Sequence, residues 1–233
     1  MNLNTVSVSS LKFHWQSNPD WVLNISSLAV KQKEKLFLHG PSGSGKTTLL
    51  DLLTGIHVPV QGTIKILGTD IGSLKTTRRD KFRADHIGLI FQQFNLLPYL
   101  NVIDNVILPC HFSDKRKNKV LAQGTLHKVA VKILDSLGLD DSLYHRQATQ
   151  LSVGQQQRVA VARALIGQPE LIIADEPTSA LDQDTRDVFI KLLLKSVANT
   201  DSTIVFVSHD KGLAHYFDRQ ININSLANED VEI

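Results

Sequence analysis

Residues 40–48 read Gly-Pro-Ser-Gly-Ser-Gly-Lys-Thr-Thr and place three glycines, a lysine and hydroxyl side chains between two apolar segments. The run Leu36–Leu38 before this stretch predicts a buried strand, and residues 49–53 after it predict a helix that Gly55 ends. Glycines allow the backbone N–H groups to turn inward, and the start of a helix adds its positive end at the same point. The stretch therefore predicts a binding site for a polyanion.

The spacing of this stretch also matches the pattern G-x-x-x-x-G-K-[ST] of a phosphate-binding loop. Lys46 is placed to reach the terminal phosphates of a nucleotide, and Thr47 is placed to offer a hydroxyl to Mg2+. The alternative is a glycine-rich turn with an incidental lysine, which the order of strand, turn and helix disfavours. GTPases, kinases and transport ATPases share the pattern, so it predicts a nucleotide without deciding the class of enzyme.

Length and composition limit the class of protein. With 233 residues and 42% apolar content, the chain can bury a core of one large domain or of a domain with an embedded subdomain. A net charge of +2 gives no sequence-wide attraction to nucleic acid or to an anionic membrane. The single Cys110 and the absence of a secretion signal at residues 1–5 predict the cytoplasm. Since no apolar run approaches the roughly 20 residues that span a bilayer, work at a membrane requires a partner chain.

The apolar pattern along the chain predicts a β-rich first third, a helical insert at residues 95–165 and a return to strands. Alternation at residues 5–15 and 21–30 predicts antiparallel strands joined by a turn at Asn18–Asp20. Continuous apolar runs predict strands of a parallel sheet. The remaining predicted strands are 63–67, 87–91, 171–174 and 204–207.

The remaining segments carry weaker predictions. A helix at 101–108 is expected to end at Pro109, and residues 114–119 are expected to form a charged surface loop. The basic stretch 73–85 fits either a polyanion-binding patch or a solvated helix face, and its interrupting acids favour the second. The tail after Asp218 is polar, short and uninformative.

Two acids follow the apolar run that begins at Leu171. Asp175 ends this predicted strand, where a carboxylate meets the Mg2+ of a nucleotide at the edge of the sheet. Glu176 comes next and fits a base that polarises an attacking water. The alternative is that Glu176 only caps the turn that Pro177 enforces. A hydrolase is the class of enzyme that uses both acids.

A second candidate anion site lies more than a hundred residues from the first. Leu151-Ser152-Val153-Gly154-Gln155 opens a predicted helix, with Ser152 as N-cap and a small Gly154 that permits close approach. With this stretch the chain resembles the nucleotide-binding subunit of an ATP-binding cassette (ABC) transporter. The resemblance covers residues 5 to about 217 and includes the motifs of that family in order.

The resemblance implies roles for individual residues. Trp15 corresponds to the aromatic that stacks on adenine, whereas Phe13 is expected to point to the core. Ser179-Ala180-Leu181-Asp182 corresponds to the loop that couples two sites of a dimer. The implied ATP-binding residues are Trp15, Gly40, Pro41, Ser42, Gly43, Ser44, Gly45, Lys46, Thr47, Thr48, Gln92 and Asp175. The implied catalytic residues are Glu176, His209 and Lys46, and the implied Mg2+ ligands are Thr47, Gln92 and Asp175. The signature that acts on the other subunit is Ser152, Val153, Gly154 and Gln155, and the dimer-coupling residue is Asp182.

The resemblance implies an α/β fold: a P-loop NTPase core with a mixed central sheet, an N-terminal antiparallel β-subdomain and an inserted α-helical subdomain. It implies one domain over residues 1–233, with the core and β-subdomain in 1–92 and 166–233 and the helical signature subdomain in 93–165. The sequence departs from the family at Val153, where glycine is usual. Because Ser152 and Gly154 remain, we expect altered rather than abolished turnover.

The implied function is ATP hydrolysis by a head-to-tail homodimer that holds two ATP with Mg2+ and drives a membrane permease from the cytoplasmic face of the inner membrane. Residues 91–98 and 155–159 most resemble the lipoprotein-release, macrolide-efflux and cell-division group, which favours export or extraction. Two alternatives stay open. One is the ATPase of a transmembrane mechanical switch that transports nothing, and the other is a soluble cassette ATPase that acts on nucleic acid or ribosomes. Neither a long coiled-coil insert nor a second cassette is present to favour the latter, so nucleic acid is not an expected partner.

Overall fold

The computed structural model describes residues 4–16, 20–179 and 181–227, so the predicted turn residues Asn18 and Pro19 and the loop residue Ala180 lie outside it. The chain divides into two compact units, one from residues 1–83 and 203–233 and the other from residues 84–202. The strands are β1 Asn4–Phe13, β2 Leu23–Lys31, β3 Lys35–His39, β4 Gln61–Ile66, β5 Thr69–Asp70, β6 Ile87–Ile90, β7 Leu171–Asp175, β8 Thr203–Val207 and β9 Arg219–Asn222. The helices are α1 Lys46–Leu53, α2 Thr76–His86, α3 Val102–Ile107, α4 Pro109–Phe112, α5 Asp114–Leu121, α6 Leu126–Ser136, α7 Val153–Leu165 and α8 Gln183–Ala198.

The first unit begins with a four-stranded antiparallel sheet in the order β2-β1-β4-β5. Apolar and less buried residues alternate within each half of β1 and of β2, and the register pairs Val8 with Leu28 and Leu11 with Ile25 across the two strands. All four side chains are buried. The predicted N-terminal antiparallel β-subdomain is therefore confirmed, and period-two alternation is its physical cause.

The same unit contains parallel pairs, with β3 between β8 and β9. Phe37 of β3 lies opposite Phe206 of β8, and both rings are fully buried. The antiparallel and parallel pairs of this unit thus lie in separate sheets. The tail, from which the sequence made no prediction, supplies β9, and the chain directly after β9 buries Ile223 and Leu226. Burial of these two apolar side chains anchors a segment in which polar and apolar residues are mixed.

The second unit pairs β6 with β7 in parallel and contains helices α3 to α8. Between residues 95 and 165, all of which are described, the only ladder contact is an isolated bridge between Asn101 and Gln147. The predicted helical character of this segment is confirmed. Among the described helices, none combines the length and the hydropathy that crossing a bilayer requires.

Residues 114–119 form most of helix α5, so the prediction of a charged loop was wrong. The hydroxyl of Ser113 caps the helix by accepting from the N–H of Arg116 at 3.0 Å. Arg116 turns inward, is 2% exposed, and donates to the carbonyls of Ile166 and Ala164 at the end of α7. The prediction failed because Arg116, one of the cations in this charged run, is not a surface group but a buried cap at the end of α7.

Two smaller predictions concern helix ends and surface charge. Pro109 does not end the helical region; it begins α4, where a proline at the first helical position loses no hydrogen bond. No residue of α2 is buried, which agrees with the solvated helix face favoured for residues 73–85. Cys110 is buried, where a cysteine packs as a small apolar side chain.

Candidate nucleotide-binding site

The glycine-rich stretch forms a turn that joins β3 to α1. Strand β3 ends at His39, and α1 begins at Lys46 with Gly45 as its N-cap at φ 88°. In the described chain, α1 has no side-chain cap at its N-terminus. The N–H groups of the first turn are therefore oriented for an external acceptor, at the end of the helix where the dipole favours an anion.

Glycine is required at two positions of this turn by close packing. A Cβ at Gly45 would lie 2.6 Å from Cδ2 of Leu23, and the left-handed φ adds strain for any other residue. A Cβ at Gly40 would lie 2.7 Å from Oγ of Ser44 and 2.6 Å from Cγ2 of Ile223. Close contacts within the first unit thus constrain the backbone of the turn at these two positions.

Lys46 places a buried cation inside the turn. Its side chain is 7% exposed, and Nζ donates to the carbonyls of Gly40 and Pro41 at 3.0 Å each. The hydroxyl of Ser44 is buried and has no hydrogen-bond partner among the described residues. A buried orphan hydroxyl beside a lysine and open N–H groups fits a phosphate group, so the residues present suit a bound nucleotide.

The other predicted residues of this loop differ in exposure. Pro41, Ser42 and Gly43 are exposed on the turn, and Thr47 is exposed at the start of α1. Thr48 points to the interior and is 9% exposed. Thr47 is therefore the threonine whose hydroxyl can reach a ligand outside the protein, and Thr48 presents a side chain that packs within the unit.

Trp15 lies just after β1 and is 37% exposed, whereas Phe13 is 6% exposed. The difference agrees with the expectation that Phe13 points to the core. Two aromatic rings hold Trp15 edge to face: Phe13 at 5.0 Å and 88°, and His57 at 5.0 Å and 89°. The exposed indole is thus fixed in orientation and can offer a flat surface to a base.

Parallel pairing gathers predicted site residues at two sheet edges. In the first unit Leu38 is paired with Val207, so the turn that starts at Gly40 and the exposed His209 follow neighbouring strand ends. In the second unit Ile90 is paired with Ala174, so Gln92 and Asp175 emerge at one edge. Their roles with nucleotide stay predictions.

Glu176 has a left-handed backbone at φ 43°, which is uncommon for a residue with a side chain. Its main-chain carbonyl accepts from the N–H of Ser179 at 3.2 Å, and this bond closes the turn. Pro177 is held from α7, because the buried amide of Gln157 donates to its carbonyl at 2.6 Å. Two hydrogen bonds that do not use the Glu176 carboxylate therefore help to hold this turn.

The signature stretch forms the start of α7. Ser152 is the N-cap, its hydroxyl accepts from the N–H of Gln155 at 3.3 Å, and the Gln155 side chain accepts from the N–H of Ser152 at 2.9 Å. This is a capping box. Ser152 and Val153 are exposed, and a Cβ at Gly154 would meet no described atom within 4 Å. The stretch thus presents a capped but accessible helix start on the surface of the second unit.

Asp182 is the N-cap of α8. Its carboxylate accepts from the N–H of Thr185 at 2.9 Å and from the Thr185 hydroxyl at 2.8 Å. These backbone and side-chain hydrogen bonds lower the pKa of Asp182. The residue is exposed, so a capping role and a contact with a partner remain compatible. The role of Asp182 in coupling the two sites of a dimer stays a prediction.

A buried parallel strand that enters a glycine turn, followed by a helix that opens on a buried lysine, defines the class of a P-loop nucleotide-binding protein of α/β type. Within that class the chain belongs to the ABC transporter family, because the sequence profile of that family matches residues 23–179. The expected ATPase activity, with ATP as nucleotide and Mg2+ as its usual partner in this fold, is confirmed by this membership.

Individual relatives agree with this assignment. The chain is 40% identical to the lipoprotein-releasing system ATP-binding protein LolD of Novosphingobium aromaticivorans, over 87% of this chain and 88% of that protein. It is also 40% identical to the macrolide export ATP-binding/permease protein MacB of Rhodopirellula baltica, over 90% of this chain but only 30% of that longer protein. A dimeric structure of the cassette MJ0796 bound to ADP and Pi superposes with a TM-score of 0.80 at 33% identity, over 93% of each chain; the curated protein of that name is from Methanocaldococcus jannaschii.

Replacing Val153 by glycine is expected to change ATP turnover by less than about tenfold, which corresponds to about 1.4 kcal/mol in the activation free energy. Val153 is the first residue of α7 and is 49% exposed, so its side chain crowds an approaching ligand without supporting the fold. Steady-state ATPase rates test this expectation. Val188→Gly is the matched control, because Val188 is a helical valine at 60% exposure. A loss of turnover beyond a hundredfold in Val153→Gly alone would contradict the expectation.

Sequence reasoning missed two buried polar residues of α7 that hold the loops described above. Gln157 is 1% exposed and Arg163 is 9% exposed, and each bonds to main-chain carbonyls outside the helix. The available signal was clearest for Arg163, which is the one polar residue between Val159 and Leu165 of this helix. A polar side chain on such a helix must find a partner inside the protein.

Proposed function

We propose that this chain is the ATP-hydrolysing subunit of an ABC transporter that closes head-to-tail with a second copy around two Mg-ATP and so drives a membrane permease. The observation that carries the proposal is that one chain contains two different helix starts suited to anions. One is the uncapped α1 with Lys46, and the other is the open signature at α7. A head-to-tail pair would bring the first of one copy to the second of the other.

In this proposal the turn at residues 40–47 binds the phosphates of ATP through its N–H groups and Lys46. Trp15 would offer its exposed face to the adenine. Thr47, Gln92 and Asp175 would hold Mg2+, which supplies positive charge beside the phosphate oxygens when it is bound. Ser152, Gly154 and Gln155 of the second copy would complete the enclosure of the triphosphate.

The hydrolytic step would depend on Glu176 and His209. The Glu176 carboxylate would accept a proton from the attacking water and orient it for in-line displacement. Lys46 and His209 would stabilise the charge that develops on the transferred phosphoryl group. The left-handed backbone at Glu176 supports this role, because strained residues persist where the surrounding structure fixes a functional side chain.

Similarity to proteins named for lipoprotein release and macrolide export supports a permease partner and the export or extraction direction. It also supports a position at the cytoplasmic face of the inner membrane. Hydrolysis would open the dimer, and movement of the segment near residues 94–100 would pass to the permease. Tyr99 in this segment is 69% exposed, which suits a contact with another chain.

The test of the dimer is light scattering with the Glu176→Gln variant. In the presence of ATP and Mg2+ we expect a mass twice the 25.9 kDa of one chain, because ATP binds but is not turned over. The same variant with ADP is the control and should stay at the mass of one chain. A variant that keeps the mass of one chain in ATP would contradict the proposed dimer.

The test of the partner is purification of the tagged chain from its native membranes. An integral membrane protein should copurify, and reconstitution of the pair in liposomes would separate transport from a mechanical switch. Copurification of nucleic acid or ribosomes without a membrane protein would contradict the transporter role and favour a soluble cassette ATPase.

A further inference from the structure

Arg163 connects helix α7 to the loop that carries Gln92. The guanidinium is buried, and it donates to the carbonyl of Asn95 at 2.6 Å and to the carbonyl of Phe94. Burial lowers the pKa of Arg163 to about 10, so the side chain is still a cation at neutral pH. A planar fork of N–H donors on two consecutive carbonyls fixes both the position and the orientation of that segment.

The segment that Arg163 holds has an unusual backbone. Phe94 and Asn95 both have positive φ, at 58° and 47°, although neither is glycine. Two consecutive residues in the left-handed region need support from their surroundings. The buried Phe94 ring, the hydrogen bonds from Arg163 and the main-chain bonds from Phe94 to Phe91 and from Asn95 to Gln93 all hold this backbone. Gln92 lies two residues before Phe94, so the held segment constrains the backbone from which the exposed Gln92 side chain extends.

A second side chain of α7, that of Gln157, makes a similar contact with the loop that carries the predicted catalytic residue Glu176. Gln157 donates to the carbonyl of Pro177 at 2.6 Å, and Pro177 directly follows Glu176. Gln157 and Arg163 are six residues apart on α7, which begins at the signature. One rigid helix therefore contacts the loops of both Gln92 and Glu176 within the second unit.

We propose that Arg163 is a positioning residue for ATP hydrolysis, which sets the loop of Gln92 relative to the helix that starts at the signature. The inference rests on the proposed function, since it gives Gln92 a part in turnover. A movement of α7 would carry the carbonyls of Phe94 and Asn95 with it, so engagement of the signature and placement of Gln92 would change together. Arg163 would contact neither ATP nor the attacking water.

The test is a double-mutant cycle between Arg163→Lys and Gln92→Ala, with turnover measured with labelled ATP. Lysine keeps the charge but lacks the planar fork, so we expect kcat to fall about tenfold or more while KM for ATP changes less. In the Gln92→Ala background the lysine should have no further effect on kcat. Multiplication of the two losses, or a wild-type kcat in Arg163→Lys, would overturn the inference.

Arg116→Lys is the matched control, because Arg116 is also a buried arginine that donates to main-chain carbonyls of this unit. Arg116→Lys should lower the melting temperature at least as much as Arg163→Lys. It should leave kcat unchanged, and Gln92→Ala should reduce kcat by the same factor with or without it. If Arg163→Lys does not fold, Arg163→Gln retains a donor without the buried charge and takes its place in the cycle. A wild-type chain without ATPase activity, or with turnover unaffected by Glu176→Gln, would contradict the proposed function instead.

Discussion

Replacing Glu176 by glutamine is expected to lower ATP turnover by about 10² to 10⁴, the range associated with loss of a general base. Glutamine has the shape of glutamate but cannot accept the proton of the attacking water. The turn should survive, because the main-chain carbonyl of Glu176 and the Gln157 contact with Pro177 hold it. ATP binding is therefore expected to stay within about twofold while turnover is lost.

Two measurements separate catalysis from folding in that variant. The melting temperature should match that of the wild type, and equilibrium binding of labelled ATP should be retained. Glu34→Gln is a suitable comparison, because Glu34 pairs with Arg219 away from the predicted site, so its loss should cost stability without a specific loss of turnover. Full turnover in Glu176→Gln would remove this residue from the role of base.

Replacing Lys46 by alanine is expected to weaken ATP binding by at least about tenfold to a hundredfold, because each hydrogen bond to a charged group is worth about 1.5–3 kcal/mol. Its Nζ lies inside the turn, 3.0 Å from two loop carbonyls, and is 7% exposed. When phosphate binds, this ammonium is the cation that the turn offers at that point. Turnover should fall with binding, since the same charge would stabilise the transition state.

Lys65→Ala is the matched control for that loss. Lys65 lies on β4 of the same unit and is exposed, so its removal changes the net charge equally without changing the turn. Titration calorimetry with ATP and Mg2+ compares the two variants directly. Equal ATP affinity in Lys46→Ala and Lys65→Ala would show that the turn does not bind the phosphates.

The local motifs could be predicted because their physics is local. The turn at residues 40–48 needs glycine where the backbone is left-handed or closely packed, and the α7 cap needs Ser152 and Gln155 three residues apart. Both signals are visible in the sequence. The antiparallel pair of β1 and β2 could also be predicted from the sequence, because a strand whose apolar and polar residues alternate can bury only its apolar face.

What could not be predicted depends on partners far apart in sequence. Arg116 reads as one charge in a polar run, and only the fold shows that it caps carbonyls some fifty residues later. The edge strand β9 acquires its place from β3, almost two hundred residues earlier. Arg163 and Gln157 follow the same rule: their roles depend on which carbonyls the folded chain brings to them, and no sequence pattern specifies those carbonyls.

The central claim is that the turn of one copy and the signature of another share one ATP, and complementation between two inactive variants tests it most directly. Lys46→Ala disables the first half-site, and Gly154→Asp places a carboxylate on the second, at a position where a Cβ would meet no described atom within 4 Å. Mixed in equal amounts, the two should recover up to about a quarter of wild-type turnover, because half of randomly formed dimers are mixed and each carries one intact site. Two variants that are inactive alone and stay inactive when mixed would show that each chain uses only its own residues, which contradicts the account.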